Sequence, residues 1–142
     1  VGMYLARTQF VRDIGARFIP GIIHQDNPYT FALMLNAERV AHMKTDGYAR
    51  RMRPGSTITT LRDARSVKGY YLSYIAMTRE VQGRVYSKPV SDMIAEVVDG
   101  VFSGAEKKVA ALSNAELAEI QTLDPQLDAQ VIFQRLKAAR SR

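Results

Sequence analysis

The chain has 142 residues, 46% hydrophobic and 24% charged, with 9 Gly, 5 Pro and no Cys or Trp, an ordinary composition for one globular domain of roughly 100–200 residues. Without cysteine there is no disulfide framework, thiolate zinc site or cysteine nucleophile, and no stretch approaches the ~20 consecutive apolar residues of a membrane-spanning helix. The net charge is +6, and it is concentrated early: residues 1–60 carry 8 basic and 4 acidic side chains, residues 61–85 carry 5 and 2, and residues 86–142 carry 7 and 8. A basic first half suits a phosphate-bearing partner (nucleic acid, lipid headgroup or nucleotide diphosphate) and equally a plain solvated surface.

The chain opens on Val1-Gly2-Met3-Tyr4, with neither an initiating Met nor a basic stretch followed by an apolar one, so it shows no signal peptide and reads as part of a longer protein. Residues 4–14 have helical spacing and end at Gly15. Residues 16–23 read as extended, because Pro20 pushes its predecessor out of the helical region and Pro20-Gly21 is a turn. A helix is expected next, with Asn27 as N-cap, Pro28 in its first position, and Phe31, Met34 and Leu35 as its buried stripe. Residues 39–43 and 48–53 flank the turn signal Asp46-Gly47 and are expected as two strands of a small sheet. Pro54-Gly55-Ser56 closes that part, and the main break in organisation falls at 54–60.

Beyond it the pattern is helical. Val67, Tyr71, Tyr74, Met77 and Val81 recur at spacings of 4, 3, 3 and 4, one face of a helix beginning near Leu61. Another is expected from Ser87 or Lys88, with Pro89 in its first turn, Val90, Met93, Ile94, Val97, Val101 and Phe102 buried, and an end or bend at Gly100 or Gly104. Ser113-Asn114-Ala115-Glu116 is a capping box preceding Leu117 and Ile120. The last helix follows Asp124-Pro125, buries Leu127, Val131, Ile132 and Leu136, and ends in Lys137, Arg140 and Arg142, cations suited to a helix C-terminus. The sum is a mostly helical α+β fold, with a small strand component in residues 1–60 and a helical part over residues 61–142.

Several chemistries find no motif. Neither glycine-rich phosphate loop is present, nor a G-x-S-x-G nucleophile elbow. His24 and His42 lie 18 residues apart with no carboxylate at ligand spacing, so no metal site is expected within this chain. Two segments remain. Asp26 follows an apolar turn at the mouth of a helix, where it can either complement the helix dipole or serve as a general base in a cleft. In Tyr48-Ala49-Arg50-Arg51-Met52-Arg53, an extended backbone would put Arg51 and Arg53 on one face, able to clamp a diphosphate or simply to be solvated.

In this order, five stretches resemble the C-terminal part of the family 2 glycosyltransferases, inverting enzymes with a GT-A α/β fold. They are Arg7-Thr8-Gln9-Phe10-Val11, Gly15-Ala16-Arg17-Phe18-Ile19-Pro20-Gly21, His24-Gln25-Asp26-Asn27, Ala37-Glu38-Arg39-Val40, and the run from Tyr48 through Arg51 and Arg53 to Gly55-Ser56-Thr57-Ile58. The likeness covers about residues 4–60. It departs from the family at Gln25, where a glutamate is usual, at Arg50, where a tyrosine is usual, and in having no Asp-x-Asp among the eight aspartates.

The resemblance implies that Asp26 is the base that deprotonates the acceptor hydroxyl, with His24, Gln25, Arg51 and Arg53 near substrate. It implies transfer from a nucleotide-sugar donor to a carbohydrate or lipid-linked acceptor, in surface polysaccharide synthesis. Mn²⁺ or Mg²⁺ would be held, with the donor, by residues outside this chain, so that the chain alone is inactive. Together with the basic surface of residues 1–85 and the helical tail, it suggests a cytoplasmic protein, peripheral at the inner face of an anionic membrane, and a GT-A sheet cut short implies a homodimer covering exposed strand edges at 16–23 and 39–43. The alternative is a noncatalytic basic helical module for nucleic acid or a protein partner; nucleic acid is disfavoured because the basic residues line no single helix.

Overall fold

The computed structural model describes residues 4–45, 47–49 and 64–140. Among these are six helices: α1 (Thr8–Asp13), α2 (Asp26–Asn36), α3 (Ala64–Val81), α4 (Lys88–Val109), α5 (Asn114–Thr122) and α6 (Leu127–Arg140). No strand occurs among the described residues, which overturns the expected α+β fold: the architecture described is all-helical. The physical reason lies in the segments themselves. Residues 16–25 are broken by left-handed backbone at Gly21 and His24, which interrupts any ladder. Residues 38–45 are irregular and exposed throughout, so no buried face fixes a register and no strand among the described residues pairs with them. The second expected strand, 48–53, lies largely outside the described residues, as does the linker at 54–60.

α3 through α6 build the main core. Val67, Tyr71 and Ile75 from α3 meet Phe102, Ala105 and Val109 from α4, with Leu112, Leu117 and Ile120 around α5 and Ala129, Phe133 and Leu136 from α6. The Tyr71 hydroxyl donates to the Ala129 carbonyl at 2.7 Å, and its ring meets Phe133 edge-on at 6.4 Å. Burial pushes that phenol up to about 12, with Asp124 adding to the effect, because an ionised oxygen there would lose water without gaining a cation in contact.

Polar ties close the bundle from outside. Arg79 on α3 reaches Asp124 and Asp128 at 2.7 Å each, and Arg140 donates to the Leu112 carbonyl at 2.7 Å. Arg135 lies 4.3 Å from the centre of the Phe102 ring and pairs with Asp99 at 3.1 Å. The Ser113–Glu116 capping box forms as its spacing requires, with Ser113 Oγ accepting from the Glu116 amide and the carboxylate accepting from the Ser113 amide.

The buried faces are rotated from those the spacing predicts. On α4 the buried line is Val98, Phe102, Ala105 and Val109, whereas Met93 and Val97 face solvent. On α6 it is Ala129, Phe133 and Leu136, with Leu127 and Val131 exposed. Small residues explain the rotation: Ala105 and Ala129 are fully buried and let helices approach where larger side chains would hold them apart. α4 also runs through Gly100 and Gly104 without ending.

α2 lies on this bundle. Phe31 packs with Met77 of α3 and Val98 of α4, flanked by Leu35, Val81 and Ile94, while Leu33 is buried and Met34 exposed. The helix begins one residue before the expected cap: Gln25 is the N-cap, without a side-chain bond, and Asp26 is the first helical residue. Pro28 is thus third, where its missing N–H still costs no helical hydrogen bond. No described helix is long and apolar enough to cross a membrane.

Candidate functional site

The site is built where the loop before α2 meets α3 and α4. Three left-handed residues shape that loop: Gly15 (φ 65°), Gly21 (φ 76°) and His24 (φ 64°). Glycine adopts such angles freely; histidine does so at a cost and needs surrounding contacts to hold it there. His24 has four. Its ring stacks on Tyr70 at 3.9 Å between centroids and 14° between planes. Its Nε2 is hydrogen-bonded to Ser66 Oγ at 3.0 Å. Its carbonyl accepts from Ser73 Oγ at 3.1 Å and from the Asn27 amide at 3.1 Å.

Glycines inside the bundle helices make this docking possible. A Cβ at Gly69 would run into the carbonyl group of Ile23, so the loop backbone rests directly on α3. A Cβ at Gly104 would stand 2.8 Å from three Tyr70 ring atoms at once. Equal distances to those atoms put that point over the ring face, so Tyr70 is clamped between the Gly104 backbone and the His24 imidazole. One turn after Gly104, Lys108 places its ammonium 5.3 Å from the centre of the Tyr70 ring and donates to Ser66 Oγ at 2.6 Å.

The electrostatics follow from this packing. Burial and the Lys108 charge hold the His24 imidazole below the ordinary histidine pKa, and the Asp26 carboxylate opposes them in part. His24 is therefore neutral at pH 7 and offers a flat, uncharged ring to Tyr70.

Asp26, His24 and Gln25 thus share one held turn at the start of α2. Asp26 is half-buried, and Tyr29, one turn on along α2, stacks against Phe18 of the loop at 4.1 Å. Phe18 remains 42% exposed, so the aromatic pair that Tyr29 anchors to the first turns of α2 keeps an open side. Arg51 and Arg53 lie outside the described residues. Ser66, Tyr70, Ser73 and Lys108 were not singled out by the sequence reading of the site. Their one sequence signal is glycine inside helices, at 69 and 104, where it costs ~1 kcal/mol against alanine and so marks a close approach.

Among the described residues no three His, Asp or Glu side chains gather as metal ligands. A groove of about 350 Å³ between α3 and α4, lined by Tyr74, Val81, Tyr86, Ile94 and Val98, is a separate feature. Compared with known proteins, the chain matches no family model, no curated protein and no solved structure.

Proposed function

We propose that the chain is the acceptor-side segment of an inverting glycosyltransferase, in which Asp26 takes the proton from the acceptor hydroxyl as that oxygen attacks the anomeric carbon of a nucleotide sugar. The observation that carries this is the held turn at 21–26: a partly exposed carboxylate on a helix start, next to a His24 that contacts from α3 hold in place. A helix-start aspartate that served only the dipole would need no such fixing. The motif order from Arg7 to Ile58 supports the family, and the open aromatic pair of Phe18 and Tyr29 supports a carbohydrate acceptor, since sugar C–H faces pack on aromatic rings.

In this scheme Asp26 acts as base, and Arg51 and Arg53 stabilise charge on the departing diphosphate. A divalent ion would be bound, with the donor, by residues elsewhere in the full-length protein.

A position at the inner face of an anionic membrane fits the segment 38–48, where Val40, Met43 and Tyr48 are exposed among Arg39, His42 and Lys44. Salt-sensitive sedimentation with anionic vesicles is expected, and equal recovery with neutral ones would remove that part of the proposal.

The test of the function is direct. The full-length protein, given a panel of nucleotide sugars with Mn²⁺ or Mg²⁺ and saccharide acceptors, is expected to release nucleoside diphosphate and elongate an acceptor. No turnover with any donor, together with steeply salt-dependent DNA or RNA binding, would replace the proposal with a nucleic-acid-binding module.

A further inference from the structure

We propose that Tyr70 and Lys108, both in the helical part of the chain, are positioning residues for Asp26, acting through the His24 ring stacked on Tyr70. The inference rests on the reading of Asp26 as the base, and it adds a way in which acidity controls that site.

The route is a short chain of contacts. Gly104 backs the Tyr70 ring, Tyr70 carries the His24 ring at 3.9 Å, and the His24 carbonyl accepts the Asn27 amide at 3.1 Å. Asp26 sits between His24 and Asn27 in that turn. Because His24 is held at φ 64°, losing its ring contacts lets it relax to the more favourable negative-φ region, and the direction of Asp26 changes with it. A misplacement of about 1 Å at a reacting group costs on the order of 100-fold in rate.

Charge sets when the hold fails. The charged groups that act on His24 are Lys108 from α4 and Asp26 from α2. Among the described residues, α3 presents to it the Tyr70 ring and the Ser66 and Ser73 hydroxyls. A neutral imidazole is compatible with Lys108 sharing the same Ser66 oxygen; a protonated one puts a second cation there. The folded, pinned state therefore favours neutral His24. The contribution of the pin is complete above the ordinary histidine pKa and is lost as pH falls through the lowered one.

The experiment follows the His24 and His42 signals within the full-length protein by NMR, with His42 as internal control, beside the pH profile of transfer. His24 should titrate below the ordinary value, and the acid limb of kcat should coincide with it. Lys108→Met should move both upward together, and Lys108→Arg, which keeps the cation, should return them toward the wild-type position. Tyr70→Leu should lower kcat roughly 10- to 100-fold with donor affinity retained.

A folded Lys108→Met protein whose His24 titration or acid limb stays in place overturns the inference, as does a Tyr70→Leu protein with wild-type kcat. If Asp26→Asn is inactive in the same series, only the positioning role has failed. If Asp26→Asn is fully active, the assignment of the base has failed and the inference with it.

Discussion

The bundle α3–α6 and the segment before it are built on different principles. The bundle buries twelve side chains in one cluster and closes it with arginines from two helices. The described residues from 4 to 49 bury few apolar side chains, Ala16, Ile22, Phe31 and Leu33 among them, and include long exposed stretches. The candidate chemistry nevertheless lies in that first segment. The bundle is held by its own buried helix faces, whereas the loop is held by the bundle at Gly69, Tyr70 and Ser73. A site can thus be placed on a loop and still be well defined, provided a separate core supplies the contacts.

That contrast is most strongly broken by emptying the bundle. Phe102 is fully buried and touches Tyr74 and Arg135 as well as the core. Phe102→Ala is expected to cost ~3–5 kcal/mol by chemical denaturation, and to unfold bundle and loop together. A loop that kept its His24 chemical shifts while the bundle melted would show that it does not depend on the bundle.

A sharper separation comes from Gly69→Ala. The new methyl group collides with the Ile23 carbonyl, an overpacking cost of ~1–3 kcal/mol, partly offset by alanine's helix preference of ~1 kcal/mol. The expected outcome is a bundle of near-normal stability with the loop displaced, read as large changes in His24 shifts and little change in those of Phe133 and Leu136. Unchanged His24 shifts would mean the loop does not rest on α3.

The mildest test concerns the ties between α3 and α6. The Arg79 guanidinium holds Asp128 down to about 2 and Asp124 below its usual value. Both carboxylates are more acidic folded than unfolded, so their stabilisation is present above the ordinary value of 3.8 and is lost as pH falls toward about 2. Denaturation midpoints should therefore drop between pH 5 and pH 2.5, and Arg79→Met should flatten that drop while lowering stability modestly at pH 7. An equally steep drop in Arg79→Met would assign the acid sensitivity to other groups.

The legible parts of the fold are those that local chemistry decides. Ser113 and Glu116 form their capping box because both partners lie within one turn, and Gly15 and Gly21 adopt left-handed backbone because glycine alone does so without strain. The helix after the apolar turn was legible too, though its cap moved from Asn27 to Gln25.

Residues 16–23 and 39–43 form no strand although their sequences suggest one, because a strand-like run becomes a strand only beside another strand, which no local pattern encodes. Likewise Met93, Val97, Leu127 and Val131 have helical spacing but lie off the contact line that Ala105 and Ala129 create. At the site, Asp26 and His24 could be singled out from their neighbours in sequence. Tyr70 and Lys108 could not, since Ser66 and His24 meet across 42 residues and only packing shows it.

The central claim is that Asp26 is a base held in place. It is tested most directly by Asp26→Asn in the full-length protein, comparing transfer with donor binding. The substitution keeps size and helix-start geometry but cannot accept the acceptor proton, so transfer should fall ~10²–10⁴-fold with nucleotide-sugar affinity unchanged. Transfer at the wild-type rate would return Asp26 to the role of a helix-start carboxylate and contradict the account.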